Sequence, residues 1–179
     1  GFYKAAVTFI KEIMSQEPAP APDEAPLLLS LLRHGLQSFL IVIIGGSIAV
    51  VFLLNWVNPT TTYYIWQEKQ RLGNVEALWT PMDDIAPVLA RSVVAAEDAN
   101  FCLHWGFDLV AIRTALADGG RRGASTLTQQ TVKNVFLWPA RSWVRKAFEA
   151  ILTLLVEVLW PKKRIVEIYL NVAEFGTGV

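Results

Sequence analysis

Residues 95 to 108 read AAEDANFCLHWGFD and set two adjacent carboxylates, Glu97 and Asp98, ahead of a Phe, a His and a Gly. On a continuous helix Glu97, Phe101, His104 and Asp108 fall at i, i+4, i+7 and i+11 and share one face. Asp98 then points about 100 degrees away. A carboxylate late in an apolar helix opposes the helix dipole and is a poor filler. Partial burial would raise the pKa of Glu97 and make it a proton acceptor near neutral pH. On these residues alone, a general base and a solvated Glu-Asp face are equal readings.

Two further stretches carry reactive side chains. RGASTLTQQTVKN, residues 122 to 134, places Ser125, Thr126, Thr128, Gln129 and Gln130 ahead of Lys133. Gly123 permits a close backbone approach, and the start of the following helix offers free N–H groups to an anion. An ordinary capped helix start is the alternative. A nucleotide phosphate loop is excluded, because the Gly-Lys-Ser/Thr ending is absent. RSWVRKAFEAILTLLVE then sets Arg141, Arg145 and Glu149 at i, i+4 and i+8, with Lys146 beside them. A surface ion pair would suffice for Arg145 and Glu149. The apolar remainder (Trp143, Val144, Phe148, Ile151, Leu152, Leu154, Leu155) instead predicts a Glu149 that is buried and paired, or functional. Two carboxylates flanking a basic, hydroxyl-rich cleft suit glycosyl chemistry, in which one deprotonates the incoming oxygen. The Lys and Arg beside Glu149 favour a pyrophosphate leaving group, which needs positive charge to stabilise it.

The elements that must position these groups are helical. The chain has 179 residues, 53% hydrophobic, seven Trp and no net charge. From Ile112 to Arg164, ten basic residues face only Asp118, Glu149 and Glu157, an excess that fits an anionic partner. The single cysteine, Cys102, excludes a disulfide framework and is expected to be a small buried hydrophobe. EPAPAPDEAP, residues 17 to 26, reads as an extended linker. Gly35 to Trp56 runs 22 residues without a charge, enough for a transmembrane helix, and Arg33 places the N-terminus inside. Downstream, a short helix closes at Gly73 and a longer one is predicted from about Val88 to His104. Another is opened by Asp108 and closed by Gly119-Gly120, and GASTLTQQTVKNVFLW begins as a Gly/Ser/Thr loop and becomes a fourth. A long helix ends before Pro161, and a last one covers KKRIVEIYLNVAEFG. Strand-period stretches are nearly absent.

EDANFCLHWG matches Glu-Asp-x-x-Phe-x-x-His-x-Gly, and GASTLTQQTVKN, RKAFE and KRIVEIYLN follow in order. With these four motifs the chain, from roughly Asn58 to Val179, resembles the peptidoglycan glycosyltransferase family that polymerises lipid II. The resemblance implies an all-α, lysozyme-like domain behind one transmembrane helix, with a membrane-embedded subdomain for the polyprenyl chain. It implies Glu97 as general base towards the acceptor 4-hydroxyl, Asp98 as its support, and Glu149 as the second essential carboxylate. Lys133 and Arg141, with Arg145 and Lys146, would hold the donor pyrophosphate. Ser125, Gln129 and Gln130 would line the cleft. It further implies a divalent cation (Mg2+ or Mn2+) bridging phosphates, with metal ligands unassigned and no organic cofactor.

The expected organisation is an N-terminal cytoplasmic segment over 1–34, a transmembrane helix over 35–57 and a glycosyltransferase domain over 58–179, truncated at its C-terminus. Expected partners are lipid II, the growing glycan chain, membrane lipid and other cell-wall synthesis proteins, with no nucleic acid. The expected location is the bacterial inner membrane, single-pass, catalytic domain on the periplasmic side. A lytic muramidase and a non-catalytic, membrane-anchored relative that binds lipid II or partners are the alternatives.

Overall fold

The computed structural model describes Thr8, Lys11 and residues 25–73, 78–119 and 123–174. Among these residues the regular elements are all helical. They are α1 (Ala25–Leu53), α2 (Tyr63–Leu72), a 3-10 turn at Met82–Asp84, α3 (Pro87–Glu97), α4 (Leu109–Ala117), α5 (Leu127–Phe136), α6 (Trp143–Leu159) and α7 (Lys162–Val172). The all-α expectation holds. The chain divides into two compact units, residues 1–45 and 46–179, with the boundary inside α1. Residues 17–24 of the expected linker, together with Gly120, Arg121 and Arg122, lie outside the described residues, whereas Ala25 and Pro26 already belong to α1.

Within α1, Leu29–Leu53 has a mean hydropathy of 2.4 and only 6% of its apolar window is buried. At ~1.5 Å per residue these 25 residues extend about 37 Å, more than the roughly 30 Å of a bilayer core. A soluble core helix of this length would be covered by protein, and this one is not.

The second unit is organised around α5. Leu127, Thr128, Thr131 and Val132 are fully buried there, where α5 packs against α6 and α7, and α2 rests on it as well. Phe101, Val156, Ile165, Ile168 and Trp160 complete the core with Val51. Each such side chain contributes about 1.5–3 kcal/mol when removed from water. Local chemistry sets the helix ends. Thr126 and Gln129 form a reciprocal capping box on α5, Asp108 caps α4, and Ser142 caps α6. Pro161 cannot continue α6 and forces Trp160 into an extended conformation (φ −111°, ψ 137°); its carbonyl then accepts the N–H groups of Arg164 and Ile165 to start α7.

α7 also gathers the chain that precedes the site. The Arg164 guanidinium donates to the Leu54 and Val57 carbonyls, and Trp160 Nε1 donates to Val51 O at 2.7 Å. Asn171 clasps both backbone groups of Thr80, and Glu167 accepts the Met82 N–H. Leu54, Val57, Thr80 and Met82 are thereby held to the same helix that closes the core.

Candidate active site

α3 ends at Glu97, and the predicted helix through His104 is not formed. Asp98 is buried in a non-helical conformation (φ −159°, ψ 72°), and residues 99–106 form a run of turns and bends. The cause is a pair of side-chain partners, one of them distant in sequence. Asp98 Oδ2 accepts the Leu127 N–H at 3.0 Å, and Oδ1 meets His104 Nε2 at 2.8 Å. Side-chain bonds of this kind compete with helix continuation. Glu97, Phe101, His104 and Asp108 therefore do not share a helical face. Phe101 goes into the core, Asp108 caps α4, and Cys102 is exposed rather than buried.

Gly106 closes the turn at φ +78°, a left-handed conformation that suits glycine. A Cβ there would lie 2.5 Å from Thr153 Cγ2 and 3.0 Å from Glu157 Cγ on α6. Its carbonyl accepts Thr126 Oγ1–H at 2.7 Å. A second network lies beneath the turn: Lys162 Nζ donates to His104 O and Glu157, lies 4.2 Å from the Phe101 ring centroid, and Thr128 donates to Glu157. The result fixes the end of α3 against the start of α5.

Glu97 itself is exposed, so the partial burial considered for it is not found. Its Oε2 accepts Gln130 Nε2–H at 2.9 Å, and Tyr169 Oη donates to the other end of the same amide at 3.4 Å. Glu97 and Asp98 line a cavity of about 400 Å³ that also includes Asn100, Thr114 and Ser125.

A second cavity, also about 400 Å³, gathers Ser125, Gln129, Gln130, Lys133, Arg141, Arg145, Lys146 and Glu149. Every site residue expected from the sequence other than the Glu97-Asp98 pair is among them, and Ser125 lines both cavities. Glu149 is 2% exposed; Arg145 Nη1 binds its Oε2 at 2.7 Å and Lys146 Nζ binds its Oε1. Arg145 Nε also donates to Ala140 O at 2.7 Å, which fixes the guanidinium. Arg141 lies in the connection before α6 instead of on one helical face with Glu149, yet it reaches the same cavity. Four cations thus face one carboxylate. Burial holds the Lys133 ammonium below the ordinary lysine range; Glu149 opposes this, while Arg145 and Lys146 reinforce it. A polyanion entering the cavity would relieve that repulsion.

The apolar residues expected to enclose Glu149 do not all do so. Trp143, Val144, Phe148, Ile151 and Leu154 are exposed along α6, while Glu149 lies on its buried side. The amphipathic arrangement of α6 is the reverse of a core helix: its exposed side is apolar, whereas Glu149, Thr153 and Glu157 are buried with Val156. Tyr64 and Pro139 line the cation cavity without having been singled out. Only the tandem Tyr63-Tyr64 could have drawn notice, and nothing in the pattern says which ring turns inward.

Asp98, His104 and Asp108 bring three possible metal-ligand atoms within 4.8 Å of one another. Their oxygens are already engaged: Asp98 by Leu127 N–H and His104, Asp108 by Val110 N–H, Ala111 N–H and the Asn100 amide. The Ala111 N–H above all, then the Asn100 amide, holds the Asp108 carboxyl below the usual carboxylate range. This donor set fits helix capping and not a divalent cation, and Glu149 in the other cavity is taken by Arg145 and Lys146.

The transglycosylase family model matches residues 66–179. Many relatives match, and the three described next all bear the name biosynthetic peptidoglycan transglycosylase. The protein of Jannaschia sp. (strain CCS1) is 62% identical over 136 residues, covering 75% of this chain and 57% of the relative. That of Pseudomonas entomophila (strain L48) is 50% identical over 163 residues, covering 86% and 69%. That of Caulobacter vibrioides is 44% identical over 153 residues, covering 83% and 67%. The chain spans little more than half the length of the first of these.

Proposed function

Because the chain belongs to the transglycosylase family, we propose that it is a peptidoglycan glycosyltransferase that polymerises lipid II into β-1,4-linked glycan with release of polyprenyl pyrophosphate. The observation that carries this reading is the pairing of an exposed carboxylate, Glu97, with an adjoining cavity in which Lys133, Arg141, Arg145 and Lys146 outnumber Glu149. Glu97 takes the proton from the 4-hydroxyl of the acceptor sugar as that oxygen attacks the donor's anomeric carbon. The bond from that carbon to the pyrophosphate oxygen breaks, and its electron pair leaves with the pyrophosphate. Attack opposite the leaving group converts an α-linked donor into a β-linked product.

The supporting residues follow from their contacts. Gln130 fixes the Glu97 carboxylate, and Asp98 ties the end of α3 to the N-terminus of α5. Glu149 holds Arg145 and Lys146 in place, so that their charge is preorganised where the leaving group develops its own. A leaving pyrophosphate is stabilised by such cations, whereas a departing sugar alkoxide would need a protonated acid, which favours synthesis over lytic cleavage. α1 would anchor the enzyme in the inner membrane with the catalytic unit on the periplasmic side, where lipid II and the growing strand meet it. Incubating the chain with labelled lipid II tests the reading: glycan polymer is expected, and release of muropeptides from sacculi without lipid substrate would replace it with a muramidase.

A further inference from the structure

We propose that Tyr64 is a donor-binding residue of the cation cavity: its hydroxyl donates a hydrogen bond to a phosphate oxygen of the lipid-pyrophosphate donor, beside Lys133. The inference rests on the glycosyltransferase reading above and extends it to a residue two positions before the stretch that the family model matches.

Three observations carry it. Tyr64 lines the same cavity as Lys133, Arg141, Arg145 and Lys146, and among the described residues it is the one aromatic in its walls. The Lys133 ammonium stands 5.8 Å from the Tyr64 ring centroid, within reach of a cation–π attraction, so ring and ammonium share one side of the cavity. Its neighbour Tyr63 is 49% exposed and pairs instead with the Trp66 ring, so only the second tyrosine of the tandem turns inward.

The backbone that delivers Tyr64 is well fixed. α2 rests on α5, the helix that carries Lys133. Buried Thr62 caps α2, accepting the Ile65 N–H on its side chain, while its carbonyl accepts the Trp66 N–H. Upstream, Arg164 holds the Leu54 and Val57 carbonyls. Burial, tempered by Arg145 and increased by Glu149, keeps the phenol above its ordinary range, so near neutral pH it is a hydrogen-bond donor and not a further anion. A neutral donor among four cations complements a pyrophosphate: it adds a directional bond without adding repulsion to Lys133.

The test uses the full chain in detergent, with farnesyl pyrophosphate as probe and binding followed by calorimetric titration. Tyr64→Phe keeps the ring over Lys133 and removes only the hydroxyl. It should weaken binding roughly ten- to hundred-fold, the range for losing a hydrogen bond to a charged group, with an unchanged thermal midpoint. The same variant should raise KM for lipid II more than it lowers kcat. Tyr64→Ala should weaken binding further. If Lys133→Ala loses the probe while both Tyr64 variants bind it within two-fold of the parent, the role of Tyr64 is overturned and the glycosyltransferase reading stands. If the parent does not bind the probe at all, both fall together.

Discussion

In the proposed reaction Glu97 and Lys133 divide the chemistry between an exposed carboxylate and a half-buried ammonium, and each makes its own prediction. Glu97→Gln keeps the size of the side chain and a bond to Gln130 while removing the base. Polymer yield from lipid II should fall by roughly 100-fold or more, the scale of general-base catalysis, with the circular dichroism spectrum unchanged. Glu149→Gln should lose turnover while keeping affinity for a prenyl pyrophosphate, because Arg145 and Lys146 lose an internal competitor for their charge; a calorimetric titration beside a turnover assay separates the two effects. For Lys133 the sign is set by its lowered pKa. The folded chain releases that proton at a lower pH than the unfolded chain, so the charged ammonium costs stability below the folded pKa. That cost is relieved as pH rises from the folded pKa towards the ordinary lysine value. Affinity for the anionic probe should run the other way and decline on entering that window, and a Lys133→Arg variant should shift the decline to higher pH. The identities of these residues were legible in the sequence through their motifs. The exposure of Glu97 was not, because it depends on how α3 meets α5.

The start of α4 was legible because capping is local and Asp108 announces it, although the same local signal at Ser142, which starts α6 beyond Arg141, went unread. The end of α3 was not legible, and the difference is informative. AAEDANFCLHWG has a continuous helical pattern, but the Leu127 N–H lies 29 residues from Asp98 and draws its carboxylate away. Gly106 is the point at which the resulting turn touches α6. Gly106→Ala should destabilise the second unit by about 2 kcal/mol or more, from a strained positive φ together with a clash against Thr153. A lowered midpoint in chemical denaturation checks this, and an unchanged midpoint would mean that the turn can move away from α6 freely. Cys102 failed the same local logic: its apolar neighbours suggested a core position, yet it sits on the outer side of the turn.

Across the whole molecule, the apolar content that marked α1 as long enough to cross a bilayer also disguised α6, where Trp143, Val144, Ile151, Leu154 and Val158 are exposed. Hydropathy alone does not separate a helix that faces lipid from one that faces a core, and only the packed structure assigns the faces. Arg164 shows a dependence between distant segments that no motif displayed: buried at 8% exposure, it serves the Leu54 and Val57 carbonyls and Glu167 at once. Arg164→Ala should cost about 3 kcal/mol, since it leaves a partly buried carboxylate and two carbonyls without their donor; thermal denaturation in detergent measures it. The measurement closest to the central claim is polymerisation of labelled lipid II by the full chain and by its Glu97→Gln variant, side by side. Long glycan strands from the first and none from the second are expected, and equal polymer from both would contradict the assignment of Glu97 as the base.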